Sequence, residues 1–292
     1  MTAINPFAPP REDQFFEVPA FGGHADVERP IPFWEKLWNK AWLRKCVIIA
    51  ALAALWQAYG VFSANSLLFP TFTDTMEAFR DNIANGVLLA RAWTSVRVLL
   101  MGYALGIGLA TVLSVLAITT RIGNDFLETL TSMFNPLPAI ALLPLALLWF
   151  GLGLGSLIFV LVHSVLWVMA LNMHAGFLGV SQTMRMVGRN YGLGRLAYVV
   201  KILVPAAFPS ILTGMKVGWA FAWRTLIAAE LVFGVSSGQG GLGWFIFENK
   251  NQLEIPSVFA GLFSVILIGL AMENIVFRKI EEKTVRRWGM QH

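Results

Sequence analysis

Long apolar segments alternate with short polar ones along most of this chain. Six of the apolar segments are long enough to cross a membrane, and they lie at about 46–62, 93–118, 127–150, 156–178, 209–235 and 256–276. A helix of about 20 apolar residues spans the hydrocarbon core of a bilayer. The pattern therefore predicts an all-α integral membrane protein with six transmembrane helices.

The third apolar segment is interrupted by three prolines, Pro136, Pro138 and Pro144. A broken helix is tolerated at membrane depth where it faces protein or a cavity instead of lipid. We therefore expect this span to be broken and to face the protein interior. The glycine-rich stretch 151–155 that follows has no strand before it, so we interpret it as a tight turn and not as a dinucleotide loop.

The polar segments divide the chain into regions. Residues 1–32 are rich in proline and charge, and we expect a mobile cytoplasmic tail there. Residues 33–45 place three tryptophans at a spacing of four, which predicts an interfacial amphipathic segment. Residues 46–277 form the transmembrane domain, and residues 278–292 form a polar cytoplasmic tail.

Two short amphipathic helices are predicted outside the membrane core, at 71–85 and 242–249. Arg121, Asn124 and Asp125 are expected to mark a short loop between the second and third spans. The second span carries Gly102 and Gly106, a pair of small residues that permits close contact with another helix.

The most basic interruption of the apolar pattern is residues 182–204, which contain Arg185, Arg189, Arg195 and Lys201. Such charges are costly in lipid, so this segment must lie at the water boundary. There it could contact another protein. The alternative is a basic amphipathic helix that simply lies on the lipid surface.

Composition supports membrane insertion. The 292 residues are 57% hydrophobic and 13% charged, with a mean hydropathy of +0.65. Soluble domains carry about 25% charged residues. The net charge of +5 gives no indication of nucleic-acid binding, because excess Lys and Arg in a membrane protein mark the cytoplasmic side.

The distribution of Lys and Arg predicts the orientation in the membrane. One set of loops and tails carries most of these residues: Lys36, Lys40, Arg44, Lys45, Arg121, Arg185, Arg189, Arg195, Lys201, Arg278, Lys279, Lys283, Arg286 and Arg287. The opposite set carries only Arg80, Arg91 and Lys250. Both termini and residues 182–204 are therefore expected on the cytoplasmic side.

The sequence lacks the residues that several classes of site require. The single cysteine, Cys46, permits no intrachain disulfide, and the four histidines lack the spacing of metal ligands. No Gly-Lys dipeptide occurs, so a phosphate-binding G-x-x-x-x-G-K loop is absent from the sequence. If ATP drives this protein, another chain must hydrolyse it.

Charged residues inside predicted spans are rare and by default face the protein interior or a cavity. They are Arg97, Lys216, Arg224, Glu230 and Glu273. We name Arg97, Lys216, Trp223, Arg224 and Glu230 as candidate substrate-pathway residues, with the three basic side chains favouring an anion. Alternatively, each charge anchors a helix. His163 and His174 are interpreted as buried, hydrogen-bonded residues and not as proton carriers.

Several motifs, taken in their order along the chain, resemble those of ABC-importer permeases of the nitrate, sulfonate, taurine and bicarbonate branch. Gly192, Arg195 and Pro205–Pro209 resemble the family's cytoplasmic coupling segment. Other matching stretches are Ser95–Arg97, Pro136–Pro144, Trp149–Gly151, Ala222–Trp223, Ala229–Glu230, Gly241–Gly243, Gly269, Glu273, Glu281 and Trp288. Met186-Val187-Gly188 stands where the family usually has Glu-Ala-Ala, so the family's glutamate is absent.

The resemblance implies a type I ABC importer permease fold in the bacterial inner membrane, with the coupling helix between helices 4 and 5. It also implies a homodimer, two ATPase subunits that bind ATP and Mg, and a periplasmic or lipid-anchored solute-binding protein. The chain itself would bind no cofactor. Its ATPase-coupling residues would be Arg185, Met186, Val187, Gly188, Arg189, Gly192, Leu193, Arg195 and Pro205.

The expected function is the inward movement of a small anion or organic acid by alternating access. A membrane-embedded enzyme would need clustered His or carboxylates, and none occur in the sequence. A self-sufficient channel or secondary carrier stays open, although no internal repeat is visible. A neutral organic solute also stays open as the substrate.

Overall fold

A computed structural model describes residues 35, 38–63, 65, 67–233, 240–287 and 289. Within that part of the chain every long regular element is a helix. We number the helices α1 Ala41–Ser63, α2 Phe72–Ala84, α3 Val87–Thr119, α4 Arg121–Phe134, α5 Ala139–Phe150, α6 Leu154–Leu178, α7 Gln182–Asn190, α8 Arg195–Ala206, α9 Phe208–Phe233, α10 Leu242–Asn251 and α11 Ile255–Arg286.

The predicted membrane spans are confirmed as helices, and two of them are bent. Helices α1, α3, α6 and α11 are each long and apolar enough to cross a membrane. The pairs α4–α5 and α8–α9 also qualify when each pair is counted as one bent span, which gives up to six. The fold is that of an all-helical, multi-pass membrane protein.

The break expected in the third span is present and sharp. Helix α4 and helix α5 meet at an angle of 87°. The turn between them contains Pro136 and Pro138, neither of which can donate a backbone hydrogen bond. The break thereby creates a bend in the chain beside α6.

The loop predicted around Arg121 is wrong, because Arg121, Asn124 and Asp125 belong to helix α4. Thr120 begins this helix: its Oγ1 accepts a hydrogen bond from the backbone N–H of Gly123 at 3.0 Å. A threonine cap satisfies one of the free N–H groups at a helix start. The sixth span is likewise longer than predicted, since α11 continues to Arg286.

The predicted amphipathic helix after the first span is α2. Its first turn carries a capping box, in which Thr71 Oγ1 accepts from Asp74 N at 3.1 Å and Asp74 Oδ2 accepts from Thr71 N at 3.2 Å. This arrangement satisfies two exposed backbone donors reciprocally. Trp56 donates from Nε1 to the carbonyl of Pro70 at 3.0 Å, next to the start of α2.

Contacts divide the chain into two units, Met1–Ala53 and Ala54–His292. Helices α2–α11 belong to the second unit. The predicted tail at 1–32 lies outside the described residues, and so does most of the predicted interfacial segment 33–45.

Helix α6 is the central element of the second unit, packed between α3 and α9. Glycines make the close approaches possible: a Cβ on Gly102 would lie 2.5 Å from Leu161 Cβ, and one on Gly106 would lie 2.7 Å from Val165 Cβ. On the other side, Gly176 faces Ser210 and Gly214 faces Asn172. The predicted small-residue contact face is confirmed.

We expect Gly106→Ala to destabilise the protein by about 1–3 kcal/mol, because the added methyl group overlaps Val165 and forces α3 away from α6. The matched control is Gly108→Ala on the same helix, where an added Cβ meets nothing within 4 Å. Thermal unfolding of the detergent-solubilised protein measures both. Equal midpoints for the two variants would contradict the packing described here.

Candidate functional site

Helix α7 and the turn after it form the predicted coupling segment. Gly192 adopts a φ of +64°, a conformation that glycine reaches without steric cost. The backbone N–H of Leu193 then reaches back to the carbonyl of Gly188 at 3.3 Å. This is the pattern of a helix ended by a left-handed glycine, and it turns the chain sharply toward α8.

Arg185 attaches α7 to the end of the membrane helix α6. Its Nη2 donates to the carbonyl of Phe177 at 2.7 Å and to that of Leu178 at 3.1 Å. Its Nε donates to the carbonyl of Val180 at 3.0 Å. The last carbonyls of a helix lack partners within the helix and carry partial negative charge, so a guanidinium there is favourable.

Gly188 brings α7 against the segment that follows it. A Cβ on Gly188 would lie 2.5 Å from Cδ2 of Tyr198 in α8. Helix α8 contains a π-helical turn at Val199–Leu203, and Pro205 lies in its last turn. The short helix α7 is therefore held on one side by α6 and on the other by α8.

Several apolar side chains of α7 and of the turn after it are exposed, next to exposed polar ones. Met184 is 50% exposed, Met186 is 53% exposed and Tyr191 is 80% exposed, while Val187 is also exposed. Arg195, at the start of α8, is exposed as well, and the side chain of Arg189 lies outside the described part of the structure. Exposed large apolar side chains of this kind form a surface on which a partner could dock.

Three of the five candidate pathway residues bond to other parts of the protein. Lys216 Nζ pairs with Glu281 Oε2 at 2.6 Å, which joins α9 to α11. The indole Nε1 of Trp223 donates to the carbonyl of Val265 at 3.3 Å. Glu230, which is only 3% exposed, takes part in a larger network.

The Glu230 network joins α9, α3 and the start of α10. Ser95 Oγ lies 2.9 Å from Oε1 and 2.8 Å from Oε2 of Glu230. The backbone N–H of Leu242 donates to Ser95 Oγ at 2.8 Å, and that of Gly243 donates to Glu230 Oε2 at 2.9 Å. A Cβ on Gly241 would collide with the Glu230 carboxylate and the Ser95 hydroxyl. Glycine is therefore required at that position.

Arg91 makes two further polar contacts beside this network. Its Nη1 donates to the carbonyl of Gly240 at 3.0 Å, and its Nη2 pairs with Glu248 at 3.0 Å. Sequence reasoning noted Ser95, Gly241 and Glu281 as parts of a resemblance but gave them no role. The signal that could have found them is weak, because Glu281 pairs with a residue 65 positions away and Ser95 with one 135 positions away.

Arg97 and Arg224 differ from the other three. Both side chains are exposed, and neither has an acidic partner among the described residues. Arg224 Nε donates to the carbonyl of Ala220 at 3.0 Å, and its Cζ lies 5.0 Å from the centre of the Phe221 ring. The pathway role of all five residues stays a prediction, and these two have positive charges still available to a solute.

The family described as binding-protein-dependent transport system inner membrane component matches residues 102–281. This chain belongs to that family. The matched region contains the bent span, α6, the predicted coupling segment, all of α9 and most of α11, and its fold is that of type I importer permeases.

Named relatives cover most of this permease. A putative ABC transporter permease protein of Methanocaldococcus jannaschii is 28% identical over 252 residues, which are 85% of this chain and 93% of the relative. A putative aliphatic sulfonates transport permease protein of Bacillus subtilis is 27% identical over 85% of this chain and 88% of its own. A nitrate import permease protein of Synechocystis is 28% identical over 80% and 86%. The chain is thus a permease subunit of an ABC transporter.

We expect Ser95→Ala to lower the free energy of unfolding of the permease by about 1–3 kcal/mol, because Leu242 N–H and the Glu230 carboxylate each lose a buried partner. Ser114→Ala is the matched control: both serines are fully buried, but Ser114 makes only one hydrogen bond, at 3.4 Å to Ala170. Thermal unfolding in the same detergent compares them. An equal loss in the two variants would contradict a stabilising role for the Glu230 network.

We expect Arg185→Gln to loosen α7 without unfolding the membrane helices, because it removes the contacts to the end of α6. Hydrogen exchange of the amides of residues 184–192 should become about tenfold faster or more, since local opening costs correspondingly less free energy. Arg195→Gln, which removes an exposed arginine without a described partner, is the control. Unchanged exchange in Arg185→Gln would show that the three carbonyl contacts do not hold the segment.

Proposed function

We propose that this permease works as a homodimer with two ATPase subunits on the cytoplasmic side and a solute-binding protein on the other. The observation that carries the proposal is α7: a short helix with an exposed apolar face, attached by Arg185 to the end of a central membrane helix. A partner that grips this face can move α6, because the guanidinium links the two helices directly.

The mechanism follows from that connection. When two ATPase subunits close on ATP and Mg, the two α7 helices of the dimer move with them. Packed helices move as rigid units, so the displacement passes to α6 and from there to α3 and α9. The membrane cavity then opens to the opposite side. Both termini and α7 are cytoplasmic in this arrangement, in agreement with the Lys and Arg bias.

The contact with the ATPase is mainly apolar. Met186 stands where the family usually has glutamate, and its side chain is half exposed between Met184 and Val187. A helix that lays an apolar face into a groove gains its affinity from shape and burial, so it does not require the missing carboxylate. Methionine suits such a contact because its flexible side chain adapts to an irregular groove.

The substrate class is a small anion or organic acid. Relatives named for aliphatic sulfonates, nitrate and taurine transport support an anionic solute. The exposed guanidinium groups of Arg97 and Arg224 provide positive charge at membrane depth, where an unpaired charge is kept for function. Inward transport in the bacterial inner membrane follows from the same arrangement.

We expect Met186→Asp to reduce retention of the co-expressed ATPase subunit on the affinity-tagged permease by about tenfold or more, because it places a charge at the centre of an apolar contact. The matched control is Leu253→Asp. Leu253 is 66% exposed and lies between α10 and α11, on the side opposite α7 in the proposed orientation.

Copurification from the same detergent, followed by quantification of both subunits, measures the effect. Failure of the unmodified permease to retain any ATPase subunit, together with solute transport by the permease alone, would establish a self-sufficient carrier and end the proposal. A loss of retention in Leu253→Asp and not in Met186→Asp would reverse the orientation.

A further inference from the structure

A cavity of about 530 Å³ lies beside the break between α4 and α5. Its walls come from that break, from α6 and from α9, and its polar lining residues are Asn135, His163, Ser164, Trp167, Asn172 and Thr225. The apolar part of the wall includes Leu137, Leu171 and Phe221. Ligand cavities usually have volumes of about 300–1,000 Å³ and combine apolar walls with a few polar groups.

Buried polar atoms without a partner concentrate in this region. Within the described part of the chain, such atoms occur on Thr131, His163, Trp167, His174 and Trp219. All but Trp219 lie along the contact between α4 and α6, which we call the α4–α6 seam. They include both ring nitrogens of His163 and of His174 and the indole Nε1 of Trp167, so the prediction that the two histidines are hydrogen-bonded is wrong within the described part of the chain. Each unsatisfied buried group costs free energy, so such a concentration in one contact between two helices is unusual.

An aromatic cluster surrounds the nitrogens of His163 and Trp167. The ring of Phe134, at the end of α4, stacks on Trp167 with centroids 5.4 Å apart and meets His163 edge-on at 6.4 Å. The nitrogens are shielded in this arrangement. Because Phe134 is the last residue of α4, directly before the bend, a movement of α4 relative to α6 would uncover them.

The charges around the cavity favour an anion. None of its lining residues is acidic, and the guanidinium of Arg224 lies over Phe221, which is part of the wall. Trp167 offers only a donor, while the amides of Asn135 and Asn172, the Thr225 hydroxyl and the His163 ring can each donate. A neighbouring cavity of about 320 Å³ shares Asn135 and Leu171 but includes Glu128, whose charge disfavours an anion there.

We propose that the 530 Å³ cavity binds the transported solute, and that this solute is an organic anion with an oxyanion head and an apolar tail. Asn135 donates a hydrogen bond to the head, and His163 and Trp167 donate as well once α4 has moved and uncovered their nitrogens. Leu137, Leu171 and Phe221 contact the tail. The inference rests on the proposed import function and narrows its substrate class. A bare nitrate ion would leave most of the cavity and its apolar wall without contacts.

The test measures whether a thiol reagent reaches the cavity and whether a bound solute protects the cavity from that reagent. In the permease–ATPase complex, Cys46→Ser removes the single cysteine of the chain, and Thr225→Cys places one thiol in the cavity wall. The negatively charged sulfonatoethyl methanethiosulfonate reagent should label this thiol, with or without ATP. Sodium 1-butanesulfonate should slow the labelling at constant ionic strength, and n-butylammonium chloride should not.

Trp167→Phe in the same background keeps the ring stacked on Phe134 and removes only the indole N–H. It should raise the half-protecting concentration of butanesulfonate about tenfold, the effect of losing one hydrogen bond to a charged group. Trp219→Phe is the matched control, because its Nε1 is also buried without a described partner but lies outside the cavity, against Tyr103 and Phe277.

Absence of labelling both with and without ATP would overturn the proposal. So would equal protection by butanesulfonate and butylammonium, equal or stronger protection by sodium nitrate, or identical effects of Trp167→Phe and Trp219→Phe. Retention of the ATPase subunit, measured on the same samples, tests the import function separately. Retained ATPase without protection therefore rejects the cavity and leaves the import function standing.

Discussion

The packing of α6 between α3 and α9 is the contact on which the other features of this permease depend. In a bilayer the lipid tails are as apolar as leucine, so helices gain little from hydrophobic burial and must fit closely. Glycines at positions 102, 106, 176 and 214 provide that fit by letting side chains of one helix approach the backbone of the next. Helix α6 then presents its end to Arg185 and one of its faces to the cavity.

Buried polar groups occur in two different arrangements in this protein. Ser95, Glu230 and the backbone of residues 242 and 243 satisfy one another completely, and they fix the start of α10 against α3 and α9. The α4–α6 seam does the opposite, because its histidine and tryptophan nitrogens have no partner among the described residues. A satisfied network makes a structure rigid, whereas unsatisfied groups are costly unless a ligand or a second conformation uses them. The first arrangement is closed within the chain, whereas the second leaves donors and acceptors that a solute can use.

The predicted coupling segment lacks the glutamate that the family usually has, and other contacts hold its helix in place. Without the glutamate, α7 still ends at a left-handed glycine and still packs through Gly188 against Tyr198. Arg185 supplies a polar attachment within the permease itself, to the carbonyl ends of α6. The exposed side chains next to Arg185 include those of Met184 and Met186.

The sequence by itself determined the helical fold, the number of apolar segments, the broken third span and the position of α7. These follow from local properties: runs of apolar residues, prolines that cannot donate, and charges excluded from lipid. It also selected Lys216 and Glu230 as unusual, since a charged residue inside a span stands out without any structure.

Only the tertiary structure decided which partners those residues have. Lys216 meets Glu281 across 65 positions and Glu230 meets Ser95 across 135, and no periodicity within one helix can specify such pairs. The start of α4 at Arg121 also did not follow from hydropathy. It depends on the Thr120 cap and on packing against α3. Local pattern dictates whether a segment enters the membrane as a helix; the side chains that meet there depend on how the helices rotate and pack.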